Sequence, residues 1–356
     1  MKTIAVGLSG GVDSTLTALL LKEQGYRVIG LTMSIYNRDI PHLKPAGNAC
    51  YGPDEKHDVQ VVREWCADMG IECHVFDCSE EYKKIVLSYF KDSYLNGYTP
   101  NPCVKCNVEM KFGMLLNKAI AEGVTFDLFA TGHYARIEQE CATGRFLLKR
   151  GVDLKKDQSY FLYRLTQDQL SKTLFPLGGY TKNQVKLMAK ERGLASADKT
   201  ESQDFYAGDY TDLLEQAPRS GKIVHISGQV LGTHQGFWNY TIGQRKGLGI
   251  GWSAPLFVID LDPEHNVVVV GEANHTAVSG CVAHQVVWNA DPIQERKNVL
   301  ARYRSSGPLV EATIEPIDTD KMRVFFKEPQ RSISRGQAVV FYDGDTVLGG
   351  GMIVNG

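Results

Sequence analysis

The sequence predicts an α/β fold: a parallel-sheet, Rossmann-like first domain, then a small β-rich central domain and a C-terminal β-barrel. Three observations carry this. Apolar, β-branched runs alternate with stretches of helical period through the first part of the chain, the pattern of a parallel sheet covered on both faces. Two adjacent glycines sit at the corner between the first run and the first helical stretch, where such sheets bind ligands. Past residue 205 the composition shifts to short alternating segments. At 356 residues the chain is too long for one compact core, and these shifts place domains at 1–205, 206–278 and 279–356.

Ile4-Ala5-Val6-Gly7-Leu8 reads as a buried parallel strand, and residues 15–21 as the helix that follows it. Between them lies Ser9-Gly10-Gly11-Val12-Asp13-Ser14. Free backbone N–H groups and the positive helix end face whatever sits in that turn. The glycines let the chain wrap closely around a phosphate, and Ser9 and Ser14 add hydroxyl donors. Asp13 is out of place in an anion site unless a Mg²⁺ ion stands between it and the phosphates. No Gly-Lys-Ser/Thr follows, so this is not the Walker pattern; a plain glycine turn is the bland alternative. S-G-G-x-D-S so placed resembles the pyrophosphate loop of the ATP pyrophosphatases, which cleave ATP to AMP and pyrophosphate. The resemblance implies that Gly7, Leu8, Ser9, Gly10, Gly11, Val12, Asp13 and Ser14 hold ATP with Mg²⁺, with Asp13 part of the chemistry.

Residues 26–33 form a second core strand, with Met33 at its end; a loop over 34–53 carries Cys50. A helix over 55–69, a strand over 72–76 and a helix over 80–95 continue the alternation. Hydrophobic residues make up 43% of the chain, and no apolar stretch is long enough to span a bilayer. The first residues form a core strand rather than a charged-then-apolar leader, so a cytoplasmic protein is expected. Eight cysteines in such a chain argue for thiols, metal or catalysis rather than a disulfide framework. The net charge of −2 gives no global attraction to nucleic acid. Between Arg145 and Arg192, however, 11 Lys/Arg face 4 Asp/Glu, a local surface suited to an RNA backbone, with Tyr160, Phe161 and Tyr163 beside it.

The second informative stretch, residues 99–112, reads T-P-N-P-C-V-K-C-N-V-E-M-K-F. Its prolines hold the chain extended, and Cys103 and Cys106 precede a helix expected to start near Asn107. A thiolate there is favoured by the helix dipole, with Lys105 and Lys111 adding positive charge. The C-x-x-C spacing also permits metal ligation or a redox pair.

Five motifs occur in order: the loop at 9–14, T-P-N-P-x-x-x-C-N, A-T-G-H-Y-A at 130–135, K-D-Q-S-Y-F-L at 156–162 and T-I-G-Q-R-K-G-L-G at 241–249. Together they resemble the tRNA-specific 2-thiouridylases, almost end to end. That family adenylates the 2-carbonyl oxygen of the wobble uridine of tRNA and replaces the oxygen with sulfur. The resemblance implies that Met33 and Gly132 contact ATP, and that Asn101, Pro102 and Cys103 meet the target base. It also implies that His133, Lys156, Asp157, Gln158, Arg302, Tyr303 and Gln337 contact tRNA, and that Cys106 is the nucleophile. A sulfur donor is implied too: a persulfide carrier, a cysteine desulfurase or sulfide.

Two departures matter. Cys103 stands where familiar members have aspartate, and Tyr206 stands where their second catalytic cysteine falls, in a segment like S-T-G-I-C-F-I. A phenol carries no persulfide, so the usual cysteine pair is broken. Cys103 could partner Cys106 instead. Alternatively Cys50, Cys103 and Cys106 could ligate a [4Fe–4S] cluster through three irons, leaving the fourth open to sulfide. The remaining options are a catalytically silent tRNA- and ATP-binding paralogue, or another adenylating tRNA-modifying ligase. Cys66, Cys73 and Cys78 read as structural thiols. The rest is accessory: a hairpin around 142–144, a helix over 181–192 capped by Thr181 and stopped by Gly193, a hairpin across Asp262-Pro263, and alternating strands from Cys281 that suggest a closed barrel.

Overall fold

The computed structural model describes residues 1–36, 49–198, 204–206 and 208–355. They form two compact units. The first comprises Met1–Val86, Pro102–Tyr210 and Asp345–Val347; the second comprises Leu87–Asn101, Thr211–Gly344 and the chain from Leu348 onward.

In the first unit, β1 (Thr3–Gly7) is a core strand because Ile4, Ala5 and Val6 are wholly buried. Then come α1 (Val12–Glu23), β2 (Arg27–Ser34), β3 (Ala49–Tyr51), α2 (Glu55–Asp68), β4 (Glu72–Asp77) and α3 (Ser79–Tyr82). After α4 (Ser88–Leu95), which belongs to the second unit, α5 (Pro102–Lys105) and α6 (Leu115–Ala121) lead to β5 (Leu128–Ala130). The antiparallel hairpin of β6 (Ala135–Gln139) and β7 (Phe146–Arg150) follows, as expected from its turn. Next are α7 (Ser159–Leu162), α8 (Gln167–Ser171), β8 (Thr173–Leu174), α9 (Lys182–Glu191) and β9 (Asp204–Tyr206). Among the described residues the main sheet has the order β4-β2-β1-β5-β8 and is parallel throughout.

Apolar clusters among the described residues hold this unit. Ile4, Val6, Leu8, Leu21, Val28, Val62 and Ile71 fill one face. Val12, Leu16, Tyr134, Leu177, Val185, Ala189 and Leu194 pack α1 against α9. Each fully buried Leu, Ile or Val contributes roughly 1.5–3 kcal/mol. Thr181 caps α9 with a full capping box to Gln184, and Gly193 ends it with φ of +66°. Asp345–Val347 return to this unit: Asp345 accepts from the Arg136 guanidinium, Arg150 N–H donates to the Asp345 carbonyl at 2.8 Å, and Thr346 pairs with Lys149.

Three expectations are corrected. The helix expected near Asn107 begins at Pro102, whose fixed φ and missing N–H suit a first helical position. It runs on as a π-helical stretch over Cys106–Met114 into α6. The helix expected over 80–95 is broken by a π-helical stretch, Lys83–Leu87. The expected loop over 34–53 contains β3, which pairs in parallel with β9.

The second unit holds a four-stranded sheet, β10 (Gly221–His225), β11 (Val230–His234), β12 (Leu256–Asp262) and β13 (Val267–Glu272), ordered β11-β10-β13-β12. It also holds β14 (Ala277–Trp288), β15 (Lys297–Arg302), β16 (Val310–Pro316), β17 (Lys321–Arg331), β18 (Ala338–Asp343) and, from Leu348 onward, β19 (Thr346–Asn355). These run β14-β17-β16-β15-β18-β19, and a β14–β19 pairing closes a six-stranded barrel. Ala283, Ala301, Ile314, Val324, Phe341 and Ile353 fill its interior.

Candidate active site

The corner after β1 is built as its sequence requires. Gly10 has φ of +74°, open to glycine at little cost, and Gly11 caps α1 in extended conformation. The Ser14 hydroxyl donates to the Gly11 carbonyl at 3.0 Å and accepts from Ser9 N–H at 3.2 Å, so both serines are fixed within the loop. Leu8 and Val12 are buried beneath it, and Gly7 lies against Phe129. Met33 is half-buried near the carboxyl end of β2. Gly132 follows β5 so tightly against the loop that a β-carbon there would sit 2.8 Å from the Asp13 carbonyl carbon.

Asp13 lies in the first turn of α1, where the dipole favours its charge. Its carboxylate takes the Lys182 ammonium at 2.8 and 2.9 Å and the Tyr134 hydroxyl at 2.8 Å. Sequence reasoning missed Lys182. The available signal was a lysine in the first turn of α9, an electrostatically poor place unless a carboxylate meets it.

The thiols differ from expectation. Because the helix starts at Pro102, Cys103 occupies its first turn and Cys106 lies a turn further in. Both are half-buried. Burial pushes the Cys106 thiol up to about 11, against the pull of the Lys111 ammonium and with a further push from Cys50. Lys105 pairs with Glu109 at 2.5 Å, which offsets the charge it was expected to lend. The dipole argument therefore transfers to Cys103.

Cys50 is exposed on β3, and β3 pairs with β9 in the register Ala49↔Asp204 and Tyr51↔Tyr206. The strand carrying Tyr206 is thus the neighbour of the strand carrying Cys50. Tyr206 is buried, and its ring lies 6.2 Å from Tyr51, which stacks on Tyr82 at 5.4 Å. Burial holds the Tyr82 phenol well above its ordinary range, and negative charge on Cys106, Cys50 and Cys103 adds to that. Three thiols lie within electrostatic reach of one phenol. Among the described residues, no three His, Cys, Asp or Glu stand close enough to hold a metal ion. Glu201, Ser202 and Gln203 lie outside the described residues. Of the structural thiols, Cys66 and Cys78 are buried as expected, and Cys66 lies within hydrogen-bonding reach of half-buried Cys73.

The residues implied to touch RNA fall into two kinds. Lys156 and Gln158 are half-buried on the loop before α7. Asp157 is buried and organises that loop, accepting from Gly151 N–H, Ser159 N–H and the Ser159 hydroxyl, each at 3.1 Å. His133 is buried between Phe112 and Phe175, its Nδ1 2.7 Å from the Thr131 hydroxyl. Burial, and then the Lys111 charge, hold its pKa well below the usual imidazole range. In the second unit, the Gln337 amide donates to the Thr99 and Pro100 carbonyls at 3.1 and 2.9 Å, and Asn101 N–H donates to the Tyr89 hydroxyl at 3.2 Å. Arg302 is buried over the Tyr342 ring, and the Tyr303 hydroxyl donates to Gln330 at 3.1 Å.

Known proteins match the chain along its length. A family model described as the tRNA methyl transferase HUP domain covers residues 2–206. Models of a tRNA methyl transferase PRC-barrel domain and an aminomethyltransferase beta-barrel domain cover 212–272 and 278–353. A tRNA-specific 2-thiouridylase MnmA of Endomicrobium trichonymphae is 46% identical over 99% of this chain and 98% of its own. The protein of the same name from Carboxydothermus hydrogenoformans is 45% identical over 99% of this chain and 97% of its own. Among solved structures, a 4-thiouridine synthetase–RNA complex with bound ATP covers 56% of this chain and 43% of its own, at a TM-score of 0.36 and 16% identity. That likeness is too loose to argue from.

Proposed function

The chain belongs to the tRNA-specific 2-thiouridylase family, and on that premise we propose that it is an ATP-dependent tRNA-uridine 2-sulfurtransferase. The observation that carries the reading is the corner at residues 9–14, whose glycines, helix end and fixed serines suit a chain of phosphates. The family model's description speaks of methyl transfer, but a sulfonium methyl donor has no phosphates for such a corner to hold.

In the proposed reaction the 2-carbonyl oxygen of the wobble uridine attacks the α-phosphorus of ATP, and pyrophosphate leaves. Backbone N–H groups of the corner stabilise the charge that develops. Asp13 is a carboxylate of the kind Mg²⁺ takes, and the ion, when bound with ATP, neutralises phosphate charge. The terminal sulfur of a persulfide on Cys106 then attacks C2, and AMP leaves with the oxygen. Attack of the Cys103 thiolate on the Cys106 sulfur forms a Cys103–Cys106 disulfide and leaves the transferred sulfur on the uridine. Sulfide attacking the Cys103–Cys106 disulfide regenerates the Cys106 persulfide and frees the Cys103 thiolate; alternatively, a thiol reductant reopens the disulfide and a persulfide carrier or a cysteine desulfurase passes sulfane sulfur to Cys106. Asn101, Pro102 and Cys103 are assigned to the target base, and Met33 and Gly132 to the nucleotide. Lys156, Gln158, Arg302 and Tyr303 are assigned to tRNA, with His133, Asp157 and Gln337 supporting them from within. We place the domain limits at 1–205, 206–278 and 279–356. Among the described residues no helix is long and apolar enough to cross a membrane, and a cytoplasmic enzyme fits that.

A [4Fe–4S] cluster on Cys50, Cys103 and Cys106 has donors of the right chemistry, but they are not close enough as described, and no step here runs through it. Tyr206 in place of a family cysteine favours a second reading, a silent paralogue that binds tRNA and ATP without thiolating.

One experiment tests these together. Purified protein is incubated anaerobically with ATP, Mg²⁺, sulfide and unmodified tRNA, after iron reconstitution or chelation, and tRNA nucleosides are analysed by mass spectrometry. Thiouridine with matched AMP and pyrophosphate in the chelated sample supports the Cys103/Cys106 route. Thiouridine only with iron replaces that route with the cluster. ATP turnover with no thiouridine in either sample favours the silent paralogue.

A further inference from the structure

Two buried side chains meet at Asp13, and both belong to residues whose backbones hold the same distant loop. The Tyr134 hydroxyl donates to Asp13 Oδ1 at 2.8 Å. Its backbone N–H donates to Gln158 Oε1 at 2.9 Å, and its carbonyl accepts from Gln158 N–H at 2.9 Å. The Lys182 ammonium grips both Asp13 oxygens, while its backbone N–H donates to Asp153 Oδ2 at 2.9 Å. Asp153 in turn accepts from Lys155 N–H at 3.1 Å and, through its carbonyl, from Lys156 N–H at 3.0 Å. The ammonium also stands 5.5 Å over the Tyr134 ring, which closes the circuit.

We propose that Lys182 and Tyr134 are positioning residues that join the phosphate loop to the segment carrying Lys156, Asp157 and Gln158, so that nucleotide and RNA bind as one linked event. The proposal rests on the tRNA reading of that segment given above. A strut between α1 and α9 explains the Lys182–Asp13 pair alone. It does not explain why both partners of Asp13 are also backbone partners of the loop at 153–158. The element with two states is the Asp13 carboxylate, held by Lys182 and Tyr134 or drawn toward a nucleotide and its cation. Drawing it away releases both connections at once and frees the loop at 153–158 to take the arrangement it has on RNA, so nucleotide and RNA favour the same state. Linkage makes the effect reciprocal, and couplings of this kind are roughly 5–150-fold in affinity.

The test measures the Kd of a non-hydrolysable ATP analogue with Mg²⁺, by calorimetry, with and without saturating unmodified tRNA. Wild-type protein binds the analogue at least roughly fivefold tighter with tRNA present. In Tyr134→Phe and Lys182→Met that ratio falls below about twofold while tRNA still binds, and Lys182→Arg restores most of it. Tyr134→Phe removes one hydroxyl only, so it decides the matter if Lys182→Met does not fold. Binding of tRNA with no coupling in wild type, or with undiminished coupling in the variants, overturns this proposal alone. No binding of tRNA by wild type overturns the functional reading beneath it.

Discussion

Gly132→Ala is the smallest change that tests how the nucleotide loop is built. The added carbon would lie 2.8 Å from the Asp13 carbonyl carbon and 2.9 Å from both its β-carbon and its oxygen. Carbon atoms rest at about 3.5–4.0 Å, so the two backbones must part by about 0.7–1.2 Å. Neither yields easily: residue 132 follows a core strand, and Asp13 is pinned by Lys182 and Tyr134. Overpacking of this kind costs about 1–3 kcal/mol. In a unit of this size that lowers Tm by roughly 2–12 °C. Moving a phosphate site by about 1 Å lowers turnover by up to about 100-fold. The assays are pyrophosphate release with ATP and tRNA, and thermal unfolding. Gly179→Ala is the control, because a β-carbon there meets nothing within 4 Å. A Gly132→Ala protein with the KM for ATP, turnover and Tm of the Gly179→Ala control refutes the reasoning.

Four further outcomes follow from the same geometry. With its thiol pushed up to about 11, Cys106 holds roughly 300-fold less thiolate at neutral pH than an ordinary cysteine. Cys103 therefore reacts with iodoacetamide before Cys106, as read by peptide mass spectrometry, and the reverse order contradicts the assignment. The stability that the neutral Cys106 thiol contributes is complete below about pH 8.5 and is lost as pH rises through about 11. For His133 the sign is opposite: its pKa is held down, so stability is full above about 6.5 and is lost as pH falls below that value. Urea midpoints at pH 7 and pH 5 should differ in wild type and converge in His133→Phe. Gln337→Ala leaves two backbone carbonyls unsatisfied at a cost of about 1–3 kcal/mol, read as a lower denaturant midpoint, with ATP-analogue affinity unchanged.

The parallel sheet, its glycine corner and the barrel were legible in the sequence because each rests on short-range periodicity and turn chemistry. What sequence reading missed depends on partners far apart in the chain. Asp13 and Lys182 are 169 residues apart, so the cation that meets the loop carboxylate is not a local signal. Asp157 stood within a motif read as RNA-facing, yet its carboxylate is turned inward to build the loop. The helix starts at Pro102 rather than near Asn107 because a proline, with its fixed φ and missing N–H, suits either an extended segment or a first helical turn, and packing decides between them. The tyrosines at 51, 82 and 206 are scattered in sequence, and only the β3–β9 pairing gathers them.

The interleaving of the two units bears on how the chain can be made. Residues 87–101 leave the first unit early for the second, and Asp345–Val347 come back to the first near the end. Domains usually fold in turn as they emerge from the ribosome. Here the hairpin that carries Arg136 and Lys149 waits for Asp345, which is synthesised about two hundred residues later. The first unit is complete only once Val347 has been made, and the second only after that. Fragments cut near residue 205 should therefore be poor substitutes for the whole, and nascent chains stalled there should be unusually open to protease.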